Sequence, residues 1–327
     1  MRRADGVFFV AAALVAASSF GPAGARAASG TRGVWTAERS NWRVDKGGTA
    51  TIVQLTLRPV GEPHDWSSSH PVALDELRGL SAAQIEAASS EVAFAWKRDA
   101  GAFAFEGKFE SGAGAGHFTF TPDASYMADM RARGYPVDDE KALTLALHDV
   151  SRAFVAELAA LGYERVPFDK LVALCIHGAR PEYIRGLAAL GYKKLDLDQV
   201  VAFRIHGASL EFIGALQKLG FRSLSPDDVV AFRIHGVTPE FIRDMQGLGY
   251  DRLTADQLVS MRIHGVSPEF VRDLKALGYS GVSVDELVSM RIHGVTTDFI
   301  RRVQGRSGKD VTVDRLVSMR IHGQEPR

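Results

Sequence analysis

A tripeptide that returns at a fixed interval constrains the fold of this 327-residue chain more than any other feature. Ile-His-Gly occurs at 176–178 and recurs every 29 residues, and a divergent Leu-His-Asp lies one interval earlier, at 147–149. The histidines are His148, His177, His206, His235, His264, His293 and His322. Such a period is typical of arrays whose units bury their apolar faces only against neighbouring units.

Each copy carries the signals of a first helix that ends at its histidine. Ten positions before the histidine lies a capping residue, namely Asp138, Asp196, Ser225, Thr254, Ser283 or Thr312, with Pro167 as the exception. An acid follows two positions later and favours the positive end of the helix dipole. Apolar pairs such as Leu258/Met261 and Val259/Ile263 then recur as a stripe at helical spacing, and Gly265 after His264 predicts the end of the helix.

A second helix follows within a few residues. Its predicted N-caps are Ser151, Ser209, Thr238, Ser267 and Thr296. Its apolar face in one copy comprises Phe241, Ile242, Met245 and Leu248, before Gly249 ends it. Helices this short are unstable alone and must stack. Residues 122–323 are therefore predicted to form an all-α solenoid of about seven helix pairs, opened by a half-copy at 123–135.

Residues 28–121 have the texture of a small antiparallel β domain, which makes the predicted fold class α+β. Apolar and polar residues alternate at 34–35, 51–57, 92–97, 102–105 and 117–121. Residues 99–101 predict a hairpin and 112–116 a looser turn, with one helix at 81–89 and another near 74–79. The aromatic residues Phe94, Trp96, Phe103, Phe105, Phe109, Phe118 and Phe120 predict a buried sheet face, with an aromatic binding face as the alternative.

Residues 1–27 have the pattern of a signal peptide. Arg2 and Arg3 precede an apolar stretch, and Ala25-Arg26-Ala27 fits a cleavage site near Ala27. The mature chain is therefore expected to be periplasmic or secreted, without a membrane span, unless the leader is retained as an anchor. Cys175 is the only cysteine, so no intramolecular disulfide forms; a catalytic thiol is the alternative role for it.

The composition and the motifs together argue against several function classes. The chain has 39 basic and 39 acidic residues, which does not favour a nucleic acid partner, although the helix-turn-helix phrase has a short likeness to helix-hairpin-helix elements. Hydrolase, zinc-protease and phosphate-loop motifs are absent from the sequence, so a non-enzymatic protein without a cofactor is expected. The polar candidates for an enzyme site in the β domain are His64, Asp65 and His70.

The residues around each repeated histidine form the candidate binding surface. The candidate residues are Arg204, His206, Arg233, His235, Arg262, His264, Arg291 and His293. The histidines are expected to contact free carbonyls at the helix ends, and a metal- or pH-responsive module that uses them is the alternative. The arginines would form a basic stripe unless acids at a fixed position of the second helix neutralise them: Glu182, Glu211, Glu240, Glu269 and Asp298. We expect that neutralisation.

The phrase Arg-Ile-His-Gly-Val-Ser-Pro-Glu-Phe-Val at 262–271, with the later Leu-Gly-Tyr, resembles tandem repeats of uncharacterised bacterial exported proteins. It is also similar to repeat tails that follow the peptidase part of some membrane sensor metallopeptidases of the beta-lactam-sensing type. The stretch at 103–122 accompanies it, so the resemblance covers roughly 92–323 and includes no peptidase motif. It implies an accessory or sensory envelope module. With the repeats, it favours a scaffold that binds a protein or peptide.

Overall fold

The computed structural model describes residues 30–40, 51–61, 66–308 and 310–324. An antiparallel sheet is followed by helices in series, which confirms the α+β fold class. The predicted leader at 1–27 and the candidates His64 and Asp65 lie outside the described residues.

The sheet has seven strands in the order β3-β2-β1-β7-β6-β5-β4, and all six neighbouring pairs are antiparallel. The strands are β1 (Thr31–Ser40), β2 (Ile52–Pro59), β3 (Ser68–Ala73), β4 (Leu77–Arg78), β5 (Ser90–Arg98), β6 (Gly101–Glu110) and β7 (Ala113–Pro122). One short helix, α1 (Ala82–Glu86), lies between β4 and β5 and begins with a capping box on Ser81.

Several details of the β domain differ from the sequence expectations. The strand β3 was not expected, the helix at 81–89 is shorter, and 74–79 contains a 3₁₀ turn (Leu74–Glu76) followed by β4. The loose turn predicted at 112–116 is wrong, because the turn is tight at 111–112 and Gly114 lies within β7. A Cβ on Gly114 would lie 2.7 Å from the ring of Phe109, so the glycine makes room for this aromatic residue.

The sheet curls strongly around an aromatic core. Trp35 on β1 and Phe94 on β5 are three strands apart, which in a flat sheet is roughly 14 Å. Their ring centroids are only 5.3 Å apart, so the strands bend toward each other on the concave side. All seven aromatic residues of the predicted sheet face are buried, which confirms a core face and not an exposed aromatic surface.

The helices alternate between two positions in the repeat, which we call helix A and helix B. The A helices are α3 (Asp139–Leu147), α5 (Phe168–Ile176), α7 (Leu197–Ile205), α9 (Pro226–His235), α11 (Ala255–Ile263), α13 (Val284–Ile292) and α15 (Val313–Ile321). The B helices are α2 (Ala124–Ala132), α4 (Arg152–Ala160), α6 (Pro181–Ala189), α8 (Leu210–Lys218), α10 (Pro239–Gly247), α12 (Pro268–Ala276) and α14 (Thr297–Ser307). A helices contact successive A helices and B helices contact successive B helices, so the array has two layers.

The predicted caps explain why each helix starts and stops where it does. Each predicted capping side chain accepts a backbone N–H of the first turn in both helix types, whereas Pro167 does not. Each Gly after the repeated histidine has a left-handed backbone, with φ of 65° at Gly178 and 71° at Gly265. The chain can therefore reverse direction within a few residues.

Tyrosine hydroxyls join successive repeats at the opposite end of the A helices. Four of them donate to a backbone carbonyl 32 residues later: Tyr163 to Leu195, Tyr192 to Leu224, Tyr250 to Val282 and Tyr279 to Val311. The distances are 2.8, 2.9, 2.6 and 2.7 Å. Phe221 occupies this position in one copy and has no hydroxyl to donate.

Candidate functional site

The candidate site is built on the last turn of each A helix, where the sequence reads Arg-Ile-His-Gly. The helix ends at this turn because the glycine takes the left-handed conformation, and this leaves the last carbonyls without partners inside the helix. The arrangement repeats along the array because each A helix packs beside the next.

The arginine of this turn contacts the preceding repeat. The Nε atoms of Arg204, Arg233 and Arg262 donate to the carbonyl oxygens of His177, His206 and His235, at 3.2, 3.0 and 3.4 Å. The arginine of one repeat therefore caps the A helix of the repeat before it.

The same guanidinium groups stack on an aromatic ring of the preceding B helix. The distances from Cζ to the ring centroid lie between 4.8 and 5.1 Å for the five arginines: Arg204 over Tyr183, Arg233 over Phe212, Arg262 over Phe241, Arg291 over Phe270 and Arg320 over Phe299. A cation over an aromatic face at this distance is attracted by the ring quadrupole. We call these five residues the arginine row.

The expected neutralisation of the arginine row is wrong. Glu240 pairs with Arg243 at 2.6 Å, and Glu269 pairs with Arg272 at 2.7 Å, each three residues along its own B helix. Glu182 and Asp298 pair in the same way with Arg185 and Arg301. Within the described part of the chain, Arg204, Arg233, Arg262 and Arg291 form no ion pair with a carboxylate. All four stack on a ring, and the first three also donate to a carbonyl.

The repeated histidines lie beside the arginine row, one in each repeat. His235 and His293 are exposed, whereas His206 and His264 are half-buried. The expected contact with free carbonyls falls mainly to arginine, since the carbonyls of His177, His206 and His235 accept from the next repeat. In the ranges that the structure describes, no three His, Cys, Asp or Glu side chains lie close enough together to hold a metal ion.

A row of exposed isoleucines lies next to these histidines, and the sequence reasoning missed it. Its members are Ile176, Ile205, Ile234, Ile263, Ile292 and Ile321, which we call the isoleucine row. Each side chain is 50–55% exposed, and Val60 is the only other large apolar residue among those described that is so exposed. The spacing alone indicates this exposure, since Ile263 lies roughly 150° around the helix from both Leu258 and Met261. A residue there points away from the core.

In the first repeat, the positions equivalent to the arginine and the isoleucine are buried. In α3 the equivalents of arginine, isoleucine and histidine are Ala146, Leu147 and His148. Ala146 and Leu147 are 0% and 6% exposed, and α3 contacts β1, β6 and β7. The β domain therefore covers, in the first repeat, the isoleucine position that stays exposed in the next six.

In the second repeat a cysteine stands at the arginine position, and a later arginine makes the equivalent contacts. Cys175 stands at the arginine position and is buried. Arg180, five residues later, places its guanidinium 5.5 Å from the ring centroid of Phe154 and donates to the carbonyl of Asp149 at 3.3 Å. Burial raises the pKa of the Cys175 thiol to about 12, which does not favour the thiolate that a nucleophile needs.

His70 lies where the curled sheet meets the array. Its ring centroid is 5.9 Å from that of Trp96 and 5.8 Å from that of His148, and its Nε2 is 2.7 Å from Ser68 Oγ. Burial, then His148 and then Arg98 lower its pKa from 6.5 to about 4, and burial also lowers the pKa of His148. Both imidazoles are therefore neutral near pH 7 in the folded chain.

Neither known protein families nor curated proteins match this chain in comparisons of sequence. In the described ranges, every helix is too short or too polar to cross a bilayer.

Proposed function

We propose that this chain is an exported, non-enzymatic scaffold of the bacterial cell envelope that binds a protein or peptide along the outer face of its A helices. The observation that carries the proposal is the isoleucine row, because six half-exposed isoleucines repeat at one structural position. Contiguous apolar surface on a folded chain is typical of interaction sites. A sensory or accessory role in the envelope agrees with the resemblance of the repeats.

About half of each residue in the isoleucine row lies outside the packing of the array. The A helices are held by buried residues such as Leu258 and Met261, and three members of the arginine row cap the preceding helix ends. Single exposed apolar residues are normal on folded proteins, but six isoleucines at one repeated position form a row of the kind that marks an interaction surface. The repetition therefore favours a partner for this surface.

Site-specific photocrosslinking in the intact cell tests the proposal. A benzophenone amino acid at Ile234 or Ile263 should give discrete crosslinked products with a protein or peptide, to be identified by mass spectrometry. The control position is Asp244, which is exposed on the B layer and should give none of these products. Absence of any product from both isoleucine positions, with the chain correctly folded, would refute the binding role.

Export is tested separately, by sequencing the N-terminus of the mature chain and by cell fractionation. We expect a new terminus after Ala27 and recovery in the periplasm or the medium. A chain found in the cytoplasm with residues 1–27 intact would contradict export while leaving the binding proposal open.

A metal- or pH-responsive role for the histidines is the second candidate, and the exposure of His235 and His293 supports it. A neutral imidazole is a common ligand of divalent metals. Calorimetric titration of the full chain with zinc should release heat that is absent when His235, His264 and His293 are replaced by asparagine. Equal heats from both chains would eliminate this role.

A further inference from the structure

We infer that the contact between His70 and His148 is a pH-sensitive junction, which holds the curled sheet on the first A helix at neutral pH and releases it when the two imidazoles are protonated. The inference describes a change of conformation within the chain, so it stands whether or not the isoleucine row binds a partner.

The two histidines come from different parts of the fold. His70 lies in β3, which is one edge of the sheet, and His148 is the C-cap of α3. Their ring centroids are 5.8 Å apart, and the ring of Trp96 on β5 packs against His70 with a centroid distance of 5.9 Å. Nε2 of His70 lies 2.7 Å from Ser68 Oγ. The pair of imidazoles is therefore a direct contact between the β domain and the array.

The charged groups around this contact already balance one another while both histidines are neutral. On the sheet side, Arg98 pairs with Glu76 at 2.9 Å and lies 3.7 Å from the carboxylate of Asp149. On the array side, Asp149 also pairs with Arg180 at 3.5 Å. Two guanidinium groups therefore face two carboxylates, and within the described part of the chain neither histidine forms an ion pair. Protons added to the imidazoles would give the junction an unbalanced positive charge.

The other elements beside the contact contribute no charge that could offset these protons. On the neighbouring strand β2, the residues opposite 69–71 are Gln54, Leu55 and Thr56. In α5, Sγ of Cys175 lies 3.9 Å from the carbonyl oxygen of Asp149. Burial raises the pKa of this thiol to about 12, so it stays neutral.

Burial favours the neutral form of both imidazoles while the junction is closed. Desolvation, then His148 and then Arg98 lower the pKa of His70 to about 4, and desolvation lowers the pKa of His148. When the sheet leaves α3, water reaches the rings and their pKa values return toward 6.5. The released form therefore binds protons more tightly than the closed form, and its population increases as the pH falls from 6.5 toward 4.

The effect of His70 alone is large enough to measure. Its pKa changes from about 4 in the closed form to 6.5 in water. The ratio of released to closed chains should therefore increase about 20-fold between pH 7 and 5, since each unit of difference is worth up to about a factor of ten. Protonation of His148 acts in the same direction.

A second contact keeps the sheet attached to the array while the histidines separate. Asp99, in the turn between β5 and β6, accepts the backbone N–H of Arg152 at 2.7 Å and pairs with its guanidinium at 2.5 Å. Burial raises the pKa of Asp99, but the hydrogen bonds from Arg152 outweigh burial and hold this pKa below its usual range. The pair therefore stays ionised between pH 7 and 5, and the sheet would rotate about the start of α4 rather than detach.

Release would expose the apolar end of α3. Leu147 occupies the isoleucine position of the first repeat and is 6% exposed, because α3 packs against β1, β6 and β7. Its exposure at acid pH would add a seventh apolar position to the isoleucine row. The use of that position in binding rests on the proposed function, whereas the release itself does not.

The reaction rate of an engineered thiol in the full chain tests the release. On a Cys175→Ser background, Leu147→Cys is covered by the closed sheet, whereas Ile234→Cys occupies the same helical position in an exposed repeat. Both react with dithiodipyridine, and the ratio of the two rates removes the intrinsic pH dependence of the thiol. We expect this ratio to increase at least about tenfold from pH 7 to 5.

Substitution of the histidines shows whether they cause the increase. His70→Asn with His148→Asn should keep the ratio constant over this range, because no imidazole is left at the junction. The matched control is His235→Asn with His293→Asn, two exposed histidines of the array, which should give the same increase as the original chain. A constant ratio in the original chain, or an equal increase without His70 and His148, would overturn the inference.

Two measurements on the chain without engineered thiols separate release from unfolding. The helical circular dichroism should be the same at pH 7 and 5, and its loss over this range would overturn a local release. Anilinonaphthalene sulfonate, which fluoresces on exposed apolar surface, should bind more at pH 5 than at pH 7. Equal binding by the chain with His70→Asn and His148→Asn would contradict the role of the imidazoles, even if Leu147→Cys does not fold.

Discussion

Each arginine of the arginine row acts on a neighbouring repeat and not on its own. Arg262 caps the carbonyl of His235 and lies 5.1 Å from the ring centroid of Phe241. Arg262→Ala should therefore lower the free energy of unfolding by about 1–3 kcal/mol, from the lost stacking and the lost hydrogen bond. Urea unfolding measures this.

Arg243→Ala is the matched control, because Arg243 is exposed and pairs only with Glu240 on its own helix. Such pairs contribute about 0–1 kcal/mol. Equal effects of the two substitutions would show that the contact between repeats does not stabilise the array.

Phe221 allows a test of the tyrosine contacts, because the missing hydroxyl can be added and its effect on stability measured. Tyr192 and Tyr250 donate to the carbonyls of Leu224 and Val282, and the corresponding acceptor for residue 221 is Leu253. Phe221→Tyr should raise the free energy of unfolding by about 0.5–1.5 kcal/mol, the net value of one hydrogen bond. Tyr250→Phe should lower it by a similar amount, and unchanged urea midpoints for both would contradict the role of the hydroxyl.

His70 makes the stability of the chain depend on pH in a defined window. Its pKa is about 4 in the folded chain and 6.5 when unperturbed, so the unfolded chain takes up the proton first as the pH falls. Stability from this group is complete above pH 6.5 and decreases toward pH 4. His148, whose pKa is also lowered, acts in the same direction.

His70→Asn should therefore flatten the loss of unfolding free energy between pH 6.5 and 4, relative to the original chain. The measurement is urea unfolding at several pH values in this range. His235→Asn is the control, because His235 is exposed in the array and lies outside the buried contact between His70 and His148. A parallel profile for His70→Asn would contradict the effect of burial.

At the scale of the helix, the glycine after each histidine decides where the A helix ends. Gly236 has φ of 69°, and an added Cβ would lie 3.1 Å from Nη2 of Arg262. Gly236→Ala should cost about 1–2 kcal/mol in unfolding free energy, from left-handed strain and from displacement of the guanidinium.

Gly214→Ala should do the opposite, because Gly214 lies inside α8 with nothing within 4 Å of an added Cβ. We expect a gain of about 0.5–1 kcal/mol from the better helix propensity. Thermal or urea unfolding of the two variants gives the comparison, and the same sign for both would be inconsistent with the assigned roles of these glycines.

The elements were predictable where local chemistry determines them. Capping residues such as Thr254 and the following Gly265 define helix ends within a few residues, so the repeat boundaries followed from the sequence. The short β3 and the tight turn at 111–112 did not follow, because sheet pairing and contacts such as Gly114 with Phe109 come from distant parts of the chain.

The candidate site was only partly predictable for the same reason. The positions of the arginine row and the histidines could be read from their spacing, but their partners lie in the preceding repeat, as His235 does for Arg262. The isoleucine row was overlooked because isoleucine at helical spacing was assigned to the core. Its exposure depends on which face of the helix meets the next one.

For the whole molecule, contacts between neighbours make stability local. Cys175 is buried near the β domain, at the opposite end of the array from α15. Its reaction with a thiol reagent reports opening of the first repeats. Deleting 309–327 should leave this rate unchanged within about twofold, whereas Leu147→Asp should raise it at least about tenfold because it separates the sheet from α3. A large increase on C-terminal deletion would show long-range cooperativity.

The contact of each arginine with a ring of the preceding repeat also makes neighbouring repeats interchangeable. Removing 236–264 would bring Arg291 into the position of Arg262, where it would face the carbonyl of His235 and keep its contact with the ring of Phe270. The new junction would therefore use the same kinds of group as the original one. Gene duplication or deletion can therefore change the length of the binding surface by one repeat at a time, because the new junction between repeats uses existing contacts.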